Sequence, residues 1–119
     1  MTTTVNDAFR VLLVLPGVVA FAWFAARDAR FHGQGRHVSI AEQWLHAGLG
    51  LVELVLIIGA FAGASGWTAG AAAGTAFLGA VDEYFFHRDI PAIESDLHAK
   101  GHFALFAVLA ASYGMSLWT

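Results

Sequence analysis

The chain has 119 residues, of which 58% are hydrophobic and only 13% charged, and it carries a formal net charge of −3. A soluble domain has roughly 25% charged residues, so this composition describes a single domain built for a bilayer. The acidic balance provides no basic face for nucleic acid. With no cysteine present, disulfides, iron–sulfur clusters, thiolate zinc sites and cysteine nucleophiles are all excluded.

Residues 1–7 read as a short polar tail. Residues 9–26 (FRVLLVLPGVVAFAWFAA) form a first spanning segment, within a helix over 8–27 that kinks at Pro16-Gly17. The competing reading is a signal peptide. Ala20-Phe21-Ala22 has the small-residue cleavage pattern, but Arg10 is the only positive charge ahead of it.

Residues 27–38 read as a polar, glycine-containing loop, with His32 and His37 exposed in it and Asp28 left ambiguous. Ser39-Ile40-Ala41-Glu42 has the S-x-x-E form of a capping box and opens a second helix over 39–62. That helix is interrupted only by Glu42, His46 and Glu53. Glu42 is open between helix cap and metal ligand. Glu53 falls near mid-membrane, where a carboxylate costs about 2.5–3.5 kcal/mol on insertion scales and is functional by default. Its alternative is a protonated side chain hydrogen-bonded to a neighbouring helix.

The third helix, over 67–88, is built on small residues. Gly66, Gly70 and Gly74 recur every four, and Thr75 and Gly79 lead at the same spacing into Glu83 and His87. Such runs let membrane helices approach closely. Asp89-Ile90-Pro91 turns the chain, and Pro91 suits the first turn of a fourth helix over 91–117. Trp23, Trp67 and Trp118, near the span ends, read as interface anchors.

The expected fold is all-α, an integral membrane four-helix up-down-up-down bundle with one transmembrane domain over 1–119. Alternation places Arg27, Arg30, Arg36, Arg88 and Lys100 on one side and Arg10 alone on the other. The positive-inside rule makes the first side cytoplasmic, in a bacterial-type inner membrane, with both termini outside.

The same side collects the chemistry. Glu83 and His87 are four residues apart, as are Glu94 and His98, and His98 and His102. On a helix that spacing stacks side chains on one face, and a carboxylate followed by an imidazole, in duplicate, can close on a metal ion. Asp82 lies about 100° round the helix from Glu83, so only one of the two faces a common centre. Glu83, aligned with the small-residue face, is taken as the ligand, and Asp82 at most as support. Asp96 and Lys100 read as an exposed i,i+4 pair.

The candidate ligands are therefore Glu42, His46, Glu53, Glu83, His87, Glu94, His98 and His102. Glu53 and Glu83 are the bridging and catalytic carboxylates, and helix 1 is expected to supply nothing. Carboxylate and imidazole without sulfur suit Fe or Mn, then Zn. Two adjacent divalent ions would offset four acids in a low-dielectric setting.

Glu83-x-x-x-His87-Arg88 followed by Leu97-His98-x-x-x-His102 resembles the histidine boxes of membrane di-iron hydroxylases and desaturases. The idea of the site is similar to the Glu/His di-metal sites of ferritin-like bundles. That resemblance implies a di-iron oxidoreductase using O2 and an electron donor on a lipid-phase or small substrate. Three rivals stand beside it: a non-enzymatic metal-ion binding or transport protein, a zinc-dependent membrane hydrolase, and a haem carrier ligated by two facing histidines. A homo-oligomer is left open.

Overall fold

The computed structural model describes residues 2–34 and 36–116, so Trp118 lies outside it. The described residues form four α-helices and no strand: α1 (Thr2–Gln34), α2 (Ile40–Ala62), α3 (Ser65–Phe85) and α4 (Ala92–Ser116).

α1 is the first departure from expectation. Residues 27–34, read as loop, continue the helix for two further turns. Polarity alone does not end a helix, and a single interior glycine such as Gly33 costs only about 1 kcal/mol relative to alanine. The extension carries Asp28 and His32 with it. α2 begins as its capping box requires, with Ser39 Oγ accepting the Glu42 backbone N–H at 3.2 Å. It stops at Gly63, whose φ of 67° lies in the left-handed region open to glycine. The Gly63 and Ala64 amides there donate to the Ala60 and Gly59 carbonyls.

α3 ends at Phe85, two residues before His87. The Phe86 and His87 amides both donate to the Asp82 carbonyl, at 2.9 and 3.2 Å. His87 therefore sits in the turn after the helix and does not stack over Glu83 by helical spacing. The chain folds it back toward Asp82.

α1 lies along α4, and α2 along α3, while contact between the two pairs is sparse. Each pair closes on a glycine. A Cβ at Gly17 would come within 2.8 Å of the buried Val108 side chain and 3.3 Å of the Ala104 carbonyl. One at Gly59 would meet the Thr68 hydroxyl at 2.7 Å. The small-residue face of α3 is not the tight seam its spacing suggests. Gly66 and Gly70 are exposed with nothing near them, and Gly74 reaches Val52 only at ordinary contact distance.

The core is small: Val14, Leu56, Ala60, Ala71, Leu105 and Val108. Large apolar side chains lie instead on the outside, among them Leu12, Trp23, Trp44, Leu54, Trp67, Phe77, Phe103 and Phe106. α1 and α2 are long and apolar enough to cross a bilayer, whereas α3 and α4 have the length without the same sustained hydropathy. Arg10 and the Gly63 turn meet at one end of the 53 Å long molecule. The end of α1, the start of α2, the end of α3 and the start of α4 meet at the other, and the polar side chains gather there.

Candidate metal centre

Every helix contributes to this end. α1 supplies Asp28 and His32, and α2 supplies Glu42 and His46. Asp82 and Glu83 come from α3, His87 from the turn that follows, and Glu94, His98 and His102 from α4. Among the described residues, three groups place one donor atom from each member within 4.8 Å of all the others. They are His32, Glu42, His46 and His87; Asp82, His87 and His98; and Asp28, His32 and Glu94. His87 joins the first two groups, and His32 joins the first and third.

Asp82 is the hub. Its side chain is 0% exposed, and its Oδ1 accepts from His46 Nε2 at 3.0 Å. Its Oδ2 lies 3.1 Å from His87 Nδ1 and 3.7 Å from His98 Nε2, with no hydrogen bond of proper geometry to either. Asp82 thus touches both the first and the second group. Of the adjacent acids, it is Asp82 and not Glu83 that turns fully inward. The Glu83 side chain is 52% exposed, although its Oε1 still reaches within 3.4 Å of His98 Nε2.

The imidazoles are oriented from behind. His98 Nδ1 donates to Asp28 Oδ2 at 3.3 Å, and its Nε2 faces Asp82 Oδ2 and Glu83 Oε1 at 3.7 and 3.4 Å. His32 Nδ1 donates to the Asp28 backbone carbonyl at 3.0 Å, and its Nε2 faces Glu94 Oε1 at 3.2 Å. Donation from one ring nitrogen to a carboxylate or carbonyl, with the other aimed at a shared point, is how metal-ligating histidines are held. Burial pushes the His87 imidazole below its ordinary pKa against the opposing pull of Asp82, which favours the neutral form that ligates.

Five donor atoms here are buried without a hydrogen-bond partner: Asp28 Oδ1, Asp82 Oδ2, His87 Nδ1 and Nε2, and His98 Nε2. Buried polar atoms are otherwise almost always paired. Asp28, Glu42, Asp82 and Glu94, each at most 16% exposed at the side chain, face one guanidinium, that of Arg36, and the imidazoles of His32, His46, His87 and His98. Buried imidazole nitrogens and carboxylate oxygens close together without hydrogen bonds are the kind of arrangement that a bound cation satisfies. The residues fit metal ions.

Arg36 clamps the outer rim. Its guanidinium donates to both Glu42 oxygens, and Nε donates to Glu94 Oε1 and Oε2 at 3.2 and 3.3 Å. The hydrogen bonds that Arg36 donates to Glu42 hold the guanidinium above its usual pKa, against the cost of burial. Glu42 is accordingly not merely a cap residue, because its backbone N–H serves the cap while its carboxylate turns into the cluster.

The remaining expected ligands stand apart from the three groups. Glu53 and His102 line a cavity of about 270 Å³ beside the cluster, together with Phe21, Phe24, Leu49 and His98. The His102 ring lies 4.6 Å from that of His98. Glu83 and His102 also border a second, apolar cavity between α2, α3 and α4. His37 is exposed, as expected, and Asp96 and Lys100 pair on the exposed face.

The sequence leaves Asp28 ambiguous, reads His32 as exposed, gives Asp82 at most a supporting role and gives Arg36 no part in the site. The first two repeat the acid-x-x-x-His spacing of Glu83/His87 and Glu94/His98 and were hidden by reading 27–38 as a loop. Arg36 has no local signature.

Comparison of the chain with protein-family models, with curated proteins and with solved structures finds no match.

Proposed function

We propose that the chain is an integral membrane protein, threaded up-down-up-down, whose polar end binds two divalent metal ions and uses them for O2-dependent oxidation of a lipid-phase or small substrate. The observation that carries this reading is His98 Nε2, buried and without a hydrogen bond, within 3.7 Å of Asp82 Oδ2 and 3.4 Å of Glu83 Oε1. Asp82, His87 and His98 form one ion position, and His32, Glu42, His46 and His87 form the other. Asp82, which belongs to one group and accepts from His46 of the other, would serve both positions in the role the sequence gives to Glu53 and Glu83.

Iron is favoured by the mixture of carboxylate and imidazole without sulfur. Iron bound here would supply the activation of dioxygen, with electrons from an external donor. The protein's own part is to hold geometry and exclude water. Asp28 fixes two imidazoles from behind, Arg36 closes the rim, and the cavity lined by Phe21, Phe24 and Leu49 gives a small or apolar substrate a place beside His98. Glu53, at the wall of that cavity, is placed to exchange a proton with a bound substrate. The outer surface of aromatic and aliphatic side chains suits lipid. The cationic residues Arg27, Arg30, Arg36, Arg88 and Lys100 support a cytoplasmic position for the metal end.

Elemental analysis of protein purified without chelator, with optical spectra in air and under dithionite, tests the reading. The expected result is two Fe per chain and absorption that bleaches on reduction. Zinc alone, with no spectral change, would transfer the site to hydrolysis, and no stoichiometric metal would end the metal reading.

A further inference from the structure

Arg36 divides the cluster into two unequal halves. Its guanidinium holds Glu42, Glu94 and His32 Nε2, the last at 3.4 Å. All three belong to the outer groups, those built on His32. The inner group of Asp82, His87 and His98 makes no hydrogen bond or ion pair with Arg36, and four of the five unpartnered atoms belong to it, two of them on His87, which it shares with an outer group. An ion arriving at the inner group meets facing atoms, Asp82 Oδ2, His98 Nε2 and the His87 nitrogens, that hold no hydrogen bond. At the outer position an ion must take Glu42 from a guanidinium bonded to both of its oxygens, and must then sit beside that positive charge. Charge-assisted, two-point pairs of this kind are the strong ones.

We propose that Arg36 is a built-in counter-cation for the outer metal position, so that the site fills in order: the inner ion first, and the outer ion only when Arg36 swings out. Arg36 is suited to move. It lies in the short linker between α1 and α2, and its side chain is 22% exposed while its two carboxylate partners are 2–3% exposed. Retracting it opens a route from water to Glu42 and Glu94. Releasing Arg36 also frees the Glu94 and His32 donors, so the third group becomes available to complete the outer sphere. The inference rests on the metal-binding reading above and adds to it an order and a residue that sets occupancy.

The test uses the full chain in detergent, stripped with chelator and titrated with Mn2+. Free Mn2+ is followed by electron paramagnetic resonance, and thermal unfolding is recorded in parallel. The wild type is expected to bind one ion tightly and a second at least about tenfold more weakly. Arg36→Gln should leave the first step unchanged and tighten the second by at least about tenfold. Without metal the variant should melt below the wild type, because Glu42 and Glu94 have lost their cation, and Mn2+ should restore the difference. If R36Q does not fold without metal, Arg36→Lys supplies the same comparison, with a second step between those of the other two. A second step unchanged by either substitution, or a melting deficit that Mn2+ does not repair, would overturn the counter-cation role while leaving the metal centre standing. Failure of every form to bind Mn2+ would overturn both.

Discussion

Asp82 and Glu83 show how much one residue of register decides. The two carboxylates are neighbours in sequence, yet one side chain is 0% exposed and the other 52%. The difference follows from the end of α3: once Phe86 and His87 both donate to the Asp82 carbonyl, the turn brings the His87 ring to the Asp82 side chain. A substitution at the hub should therefore act differently from one at the cavity wall. Asp82→Asn removes the charge shared by His46, His87 and His98 and is expected to weaken metal binding about 10–100-fold or more, the range seen for partners that orient ligands. Glu53→Gln, outside all three donor groups, should keep the metal content of the wild type. Metal analysis and Mn2+ titration of the two variants check the pair. Loss of metal from E53Q with retention in D82N would reverse the assignment.

At the scale of the helix, the contacts that matter are the close approaches within each pair. Gly17 brings α1 against α4 where the nearest atoms are the buried Val108 side chain and backbone of α4, none of which can give way freely. Gly17→Ala is expected to cost about 1–3 kcal/mol, as overpacking does, and to lower the melting temperature in detergent. Gly70→Ala, on an open face, should be neutral within about 0.5 kcal/mol or slightly stabilising, since alanine is the better helix former. Equal effects at the two positions would remove the claim that the α1–α4 seam closes at Gly17. The regular glycine spacing of α3 pointed to the wrong place, because spacing identifies a face but not what lies opposite it.

Across the whole molecule, two helix pairs touch sparsely along their length and are joined by ionic and imidazole contacts at one end. A cavity flanks the cluster on each side, and the outward surface is apolar. In water such a surface would drive association; in lipid it is ordinary. The absence of cysteine makes the orientation directly measurable. In intact cells, Asn6→Cys is expected to react with an impermeant thiol reagent, and His37→Cys, in the exposed linker at the metal end, only after the membrane is opened. The opposite pattern would invert the orientation, and recovery of the chain in the soluble fraction without detergent would exclude the membrane.

The sequence by itself determined that the chain is all-α with four helices, the positions of α2 and α4, and that acids and imidazoles one turn apart would collect at a single end. Those features rest on hydropathy, capping and helical spacing, all of which are local. The tertiary structure alone decided that α1 carries Asp28 and His32 into the cluster, that Asp82 displaces Glu83 at its centre, and that Glu42 and Glu94 share the guanidinium of Arg36. Each of these depends on where a helix stops or on which distant charge lies nearest. A buried ionic group is stabilised by partners that can come from anywhere in the chain, so no stretch of sequence read alone contains them.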